Sequence, residues 1–362
     1  MVSFSDSDDR RAGFSATLTR WYNHHKRDLP WRHTRDPYFI WLSEVILQQT
    51  RVAQGRPYYE RFVTTYPTVQ ALADADERDI LRLWQGLGYY SRARNMHKTA
   101  RYVAGSLAGR FPDSYAELLK LPGVGAYTAA AIASFAFNEK AAVVDGNVYR
   151  VLARVFGITE DITTTQAKKT FTTLANELIQ VSDDPAVHNQ AIMEFGAVQC
   201  TPVSPDCLLC PFQQQCQAFL TGRQRTLPVK SKKAAVRDRY FNYLVIRQGD
   251  RIAMKERTQK DIWQNLYDFC LVETDEPIEA FRELPEGNLL NWVLQEGILK
   301  GLSSERTHVL SHQRIRARFW LIDVPEGRAV RLPEGLTFCK PSDIERLPKP
   351  ILVADYLKSL HF

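Results

Sequence analysis

Over the first 221 residues of this 362-residue chain, apolar side chains recur at three- and four-residue intervals, the period of a helix with one buried face. The pattern predicts a helix over 14–25, with Trp21 and Tyr22 on its buried side, and another over 37–50. There Asp36 caps the start and Pro37 takes the first helical position. Further helices are expected near 69–73, 77–85, 91–106, 115–120, 127–137, 147–156, 166–180 and 185–198. Beyond Arg239 the period shortens to two, and 240–246, 251–254 and 319–324 read as strands, with helical segments at 277–283, 289–296 and 349–360. The basic, proline-broken stretch from Gly222 to Lys233 parts the two regimes and could lie along a phosphate backbone or simply be solvated. The expected organisation is a mainly α region over 1–221, a basic linker over 222–238 and an α+β domain over 239–362.

Charge and termini narrow the class. A formal net charge of +6 permits a polyanionic partner without requiring one. Met1 to Gly13 lacks the apolar core of a signal peptide, and no run of about eighteen apolar residues follows. The chain is therefore expected to be cytoplasmic and not membrane-bound.

The chemistry gathers around Leu121-Pro122-Gly123-Val124-Gly125-Ala126-Tyr127-Thr128. Gly123 and Gly125 allow a tight turn between a short helix and an Ala-rich one, a hairpin whose amides and following helix N-terminus can hold a phosphate. An ordinary helical hairpin would look the same. Downstream, Asp145 precedes Gly146-Asn147-Val148 as a helix cap, where the dipole favours an ionised carboxylate. Glu44 is the anomaly of the 37–50 helix, because its neighbours one turn away, Ile40, Trp41, Leu47 and Gln48, are mostly apolar. On a solvent edge it is an ordinary glutamate; buried, it stays protonated near neutrality and can serve as a general acid. A neutral acid and a held anion are the pairing by which like groups divide acid and anion roles.

Gly86-Leu87-Gly88-Tyr89-Tyr90, followed by Arg92, Arg94, Lys98 and Arg101, suits either a wedge for a DNA stack or a helix cap with core tyrosines. Cys200, Cys207, Cys210 and Cys216, spaced C-x6-C-x2-C-x5-C, read as metal ligands rather than disulfides. Zinc or a 4Fe–4S cluster would accept them, and spacing alone does not choose. Cys270 and Cys339 lie outside this set as ordinary thiols.

Together, Glu44 in Trp41-Leu42-Ser43-Glu44-Val45-Ile46-Leu47-Gln48-Gln49-Thr50, the 121–128 hairpin, Val144-Asp145-Gly146-Asn147 and the four cysteines resemble the adenine DNA glycosylases of the MutY type, in the helix–hairpin–helix glycosylase superfamily. The resemblance spans nearly the whole chain. It implies a six-helix module and a 4Fe–4S cluster module, with the substrate pocket between them. It also implies a C-terminal Nudix-like domain that recognises rather than hydrolyses, since the acidic Nudix signature is not found. The implied reaction is removal of adenine opposite 8-oxoguanine, or guanine, from double-stranded DNA, by a monomer. Glu44 would protonate adenine and Asp145 would meet the sugar cation, with Tyr127 and Asn147 orienting them. Trp31, Arg32 and Gln190 would line the adenine pocket, Gln49 and Tyr89 would intercalate, and Thr50 and Leu87 would lie beside the oxidised base. Leu310-Ser311-His312 resembles the lesion-sensing loop, with Leu310 in place of an aromatic, and Cys270 stands where relatives often carry proline. Tyr127, in place of a Schiff-base lysine, separates the chain from endonuclease III-like glycosylase/lyases. Retention of both carboxylates speaks against a non-catalytic iron–sulfur lesion sensor. No protein partner is implied.

Overall fold

The computed structural model describes residues 8–231, 236–285, 288–310, 312–327, 330 and 332–360. The helical period is realised as α1 Asp8–His25, α2 Pro37–Leu47, α3 Val52–Thr65, α4 Val69–Asp74, α5 Glu77–Leu83, α6 Ser91–Ser106, α7 Tyr115–Leu118, α8 Ala126–Phe137, α9 Gly146–Phe156, α10 Thr165–Gln180, α11 Pro185–Val198 and α12 Gln217–Leu220. The second period gives β1 Arg237–Gln248, β2 Arg251–Glu256, β3 Tyr267–Asp268, β4 Cys270–Thr274, α13 Asn288–Glu296, β5 Ile298–Leu302, β6 Arg306–Val309, β7 Gln313–Asp323, β8 Thr337–Cys339, α14 Pro341–Arg346 and α15 Ile351–Ser359. By its contacts the chain divides into two units, 1–74 with 95–232, and 75–94 with 233–362.

In the first unit α2 is the central helix. Tyr38 and every residue from Ile40 to Ile46 are buried, so it is enclosed on all sides rather than amphipathic. It packs on α8, whose run of buried alanines lets the two backbones come close, and on α3. Helix α3 was not expected, because Gly55 and Pro57 look like breakers. Gly55 instead faces the end of α2, where a Cβ would stand 2.7 Å from Leu47 Cδ2. The helix expected to reach residue 50 stops at Leu47, and Gln49 turns the chain with φ +57°. Helix α11 packs on α1, α8 and α9, and its crossing with α9 runs at Gly196, where a Cβ would meet that of Asn147 at 2.6 Å.

In the second unit β1 pairs with β7 in parallel, Tyr243 opposite Phe319, and antiparallel with β2 and β4. Strand β7 carries β5 and β6 on its other edge. One sheet face is covered by α15, where the Tyr356 ring stacks on Phe319 at 3.9 Å. Leu244, Ile246, Trp320 and Ile322 form the core on the other face with Val293 of α13. The expected strand 240–246 is the middle of β1, and 319–324 takes in the C-terminal end of β7 and Val324 just beyond it. The helix expected over 277–283 is a single 3-10 turn, Phe281–Glu283, confined by Pro277 and Pro285. Segment 75–94 joins this unit through polar ties: Asn265 Nδ2 donates to Glu77 Oε1 at 2.7 Å, the Lys349 amide to Gln85 Oε1 at 3.2 Å, and Arg94 Nη1 to the Gln264 carbonyl at 2.9 Å.

No helix among the described residues is long and apolar enough to cross a membrane. Because Phe319 is fully buried between Tyr243 and Tyr356, Phe319→Ala should destabilise the second unit by about 3–5 kcal/mol. Urea denaturation of both proteins checks this, and an unchanged midpoint would refute the packing.

Candidate active site

Glu44 is buried at 8% exposure in the middle of α2. Burial raises its carboxyl to about 7; the Tyr127 hydroxyl and the more distant Arg32 charge pull it down, while the Asp145 charge pushes it up. The buried alternative is therefore the one the fold adopts. Tyr127 stands in the first turn of α8, where its hydroxyl donates to Met193 Sδ at 3.3 Å and interacts with Glu44. Burial, then the Glu44 and Asp145 charges, push its own pKa well above the usual phenol range, so it stays a donor.

Asp145 caps α9 as the sequence indicates. Its side chain accepts from the Val148 amide and from Asn147 Nδ2, each at 2.8 Å. The expectation that the helix N-terminus keeps it ionised meets an opposing effect of burial. The residue is half-buried, and desolvation raises its pKa more than these bonds and Arg150 lower it. Asn147 is itself held, its Oδ1 accepting from Arg150 Nη2 at 2.8 Å.

The hairpin before Tyr127 uses its glycines unequally. Gly123 takes φ +73° and a Cβ there would lie 2.7 Å from that of Asn95, so only glycine fits. Gly125 is extended, with φ −93°, and caps α8 with open space where its side chain would be. That opening leaves the helix N-terminus accessible to an anion.

Trp31 is buried edge-on against Tyr59, and Arg32 lies over the Tyr22 ring, whose hydroxyl donates to Gln190 Oε1 at 2.6 Å. Sequence reasoning missed what holds these residues. Glu194, fully buried on α11, accepts from Arg27 Nε at 2.7 Å and Nη2 at 2.8 Å, and from Arg32 Nη2 at 2.7 Å. Burial alone would raise the Glu194 carboxyl, but the two guanidiniums hold it at about 2. The signal was present as an acid inside the apolar run Ile192-Met193-Glu194-Phe195, with the unassigned Arg27 and the pocket candidate Arg32 upstream.

The four cysteines lie in the same unit, and none of the six in the chain forms a disulfide. Among the described residues no group of three or more His, Cys, Asp or Glu is arranged to hold a metal ion. The thiols are nonetheless close enough to feel one another. Burial first, then the neighbouring thiolates, raise Cys207, Cys210 and Cys216. Arg154 Nη1 donates to Cys200 Sγ at 3.4 Å, and Arg150 Nε to the Cys200 carbonyl at 2.7 Å.

Gln49 is exposed and Thr50 half-buried beyond α2, in the first unit. Leu87, Tyr89, Leu310 and His312 belong to the second. Leu87 is buried, Tyr89 is 48% exposed, and Tyr89, Leu310 and His312 border a cavity of about 300 Å³ with Trp263. Ser311 lies outside the described residues.

Compared with known proteins, residues 42–177 match the HhH-GPD superfamily base excision DNA repair protein family, and residues 242–359 match a NUDIX domain. The adenine DNA glycosylase of Buchnera aphidicola subsp. Schizaphis graminum is 35% identical over 76% of this chain and 79% of its own length. That of Mus musculus is 46% identical over 60% of this chain and 43% of its own. Among solved structures, a thermostable thymine-DNA glycosylase superposes with TM-score 0.53 at 30% identity, covering 59% of this chain and 98% of that one. An endonuclease III bound to DNA gives TM-score 0.51 at 21% identity over 60% of this chain and 98% of its own, a likeness of fold.

The raised Glu44 carboxyl has a stability signature. The folded chain keeps this proton up to about pH 7, whereas an unperturbed glutamate releases it near 4.5. Between those values the folded state binds more protons than the unfolded one, so stability falls as pH rises, by about 3 kcal/mol in all, and levels off above. Glu44→Gln should lack that decline and withstand more urea at pH 8 than the parent. Equal pH slopes for the two would contradict the burial argument.

Proposed function

We propose that this chain, which belongs to the adenine DNA glycosylases of base excision repair, removes adenine that stands opposite 8-oxoguanine or guanine in duplex DNA. The observation that carries the mechanism is the buried Glu44 carboxyl, raised to about 7 beside Tyr127 and within the electrostatic reach of Asp145. With adenine turned out of the duplex, the Glu44 proton passes to an imidazole-ring nitrogen of the base. The bond from the sugar to N9 then breaks, its electron pair leaves with adenine, and the sugar becomes an oxocarbenium ion. Asp145 stabilises that cation or captures it, and Glu44, now a carboxylate, takes a proton from the water that adds to the sugar.

Two supports hold this geometry. Asn147 fixes one oxygen of Asp145, and the Val148 amide fixes the other. Arg32, steadied by Glu194, and Gln190, steadied by Tyr22, would meet the polar edges of the base, with Trp31 as apolar wall. The amides around Gly123 and Gly125 would take a phosphate, Gln49 and Tyr89 would fill the stack left by the extruded base, and Thr50 and Leu87 would flank the base opposite. In the second unit Leu310, Ser311 and His312 would read the oxidised base. The protein would act on DNA inside the cell as a monomer.

Cys200, Cys207, Cys210 and Cys216 would hold a 4Fe–4S cluster, one thiolate per iron: burial and the neighbouring thiolates raise Cys207, Cys210 and Cys216, a repulsion that a cationic centre would relieve. Bound there, the cluster would tie residues 200–216 at four points. Iron and sulfide analysis should give about four of each per chain. A single zinc would overturn this ligand assignment.

The reaction is tested with a duplex carrying adenine opposite 8-oxoguanine. Strand breakage should require hot alkali after incubation, because Tyr127 cannot form the imine that a lysine would. Breakage without alkali would indicate a lyase, and none at all a binding protein. Glu44→Gln should lower single-turnover base release by about 10²–10⁴-fold while duplex binding persists, and the parent rate should fall as pH rises through about 7. Substantial release by that variant would remove Glu44 from its role.

A further inference from the structure

The turn that presents Tyr89 is built in advance of any ligand. Gly86, Gly88 and Tyr89 have φ of +99°, +72° and +49°, so the tyrosine sits in a left-handed conformation that side chains rarely adopt. Tyr90 is buried, which leaves Tyr89 as the ring that meets solvent. Two side chains converge on the same backbone oxygen. The Gly88 carbonyl accepts from Trp84 Nε1 at 2.9 Å and from Arg92 Nη2 at 3.3 Å, and the same nitrogen reaches the Leu87 carbonyl at 3.5 Å. The Arg92 guanidinium also lies 5.1 Å from the centroid of the fully buried Trp84 and 5.6 Å from that of Tyr89.

We propose that Arg92 is a positioning residue: clamped between the Trp84 and Tyr89 rings, it holds the Tyr89 ring ready to enter a DNA stack. This rests on the reading of Tyr89 as a wedge. An exposed tyrosine that must be ordered on insertion loses side-chain freedom at that moment; one already held against a cation does not. The cation–ring contact is strengthened by desolvation, and Arg92 is shielded enough that burial lowers its pKa to about 10, leaving it charged at neutral pH. The guanidinium plane suits the role better than an ammonium, because it can face a ring while its edge reaches carbonyls.

The test is a double-mutant cycle on the full chain, using the adenine:8-oxoguanine duplex. Single-turnover base release is read together with the fluorescence of a 2-aminopurine placed next to the target adenine, which reports unstacking. Tyr89→Ala should slow release at least about tenfold and diminish the fluorescence rise, and Arg92→Ala should slow it about tenfold with the same loss of signal. Arg92→Lys should recover part of both. In the Tyr89→Ala background, Arg92→Ala should cost less than about twofold more, because its partner ring is already gone. Multiplying losses would mean that Arg92 serves the fold generally, and a parental rate in Arg92→Ala, or in Arg92→Lys where the alanine variant does not fold, would mean that the guanidinium clamp is idle; either overturns the proposal while leaving the wedge intact. A parental rate in Tyr89→Ala would sink the wedge and the clamp together. Should Arg92→Ala not fold, Arg92→Lys carries the same cycle.

Discussion

A carboxyl group enclosed by the apolar surroundings of α2 is the constraint on which the first unit depends. Glu44 ionises there only against a desolvation cost that Tyr127 and Arg32 offset in part, and a neutral carboxyl still needs polar company. Tyr127 supplies it, and Tyr127 is where it is because α8 begins one residue earlier, after a turn that only Gly123 can make against Asn95. The turn that Gly123 makes therefore also sets the partner of the buried acid.

The rest of the unit satisfies buried charge with arginine. Glu194 takes two guanidiniums, and breaking such a buried pair leaves an uncompensated ion, which typically costs about 3–5 kcal/mol. Arg150 and Arg154 have another role, donating to the carbonyls of Cys200, Thr201 and Pro202 in the cysteine-bearing loop. Through Arg150 the Cys200 carbonyl, Asn147 and Asp145 form one hydrogen-bonded series. Disturbance of the cysteine loop would thus reach the second carboxylate through bonds already present.

Much of this was legible in the chain. The helical period, the Asp145 cap and the anomalous Glu44 were readable because caps and buried-face spacing are local. Helix α3 was hidden because Gly55 serves a contact with Leu47, not a break, and sequence alone cannot tell these uses apart. Glu194 was hidden because its partners lie more than 160 residues away. The short strands β3, β5 and β8 were unreadable for a different reason. They owe their form to pairing with neighbours, and β5 is exposed along its whole length, so no alternation marks it. The upward shift of Asp145 was also out of reach, since it reflects the balance of burial against hydrogen bonds rather than the presence of a cap.

The most direct measurement is the titration of the Glu44 side chain itself, by NMR of ¹³C-labelled glutamate assigned through Glu44→Gln. A midpoint near 7 is expected, moving down when Asp145→Asn removes the neighbouring negative charge. A midpoint in the ordinary glutamate range, unaffected by that substitution, would contradict a buried acid paired with a nearby anion.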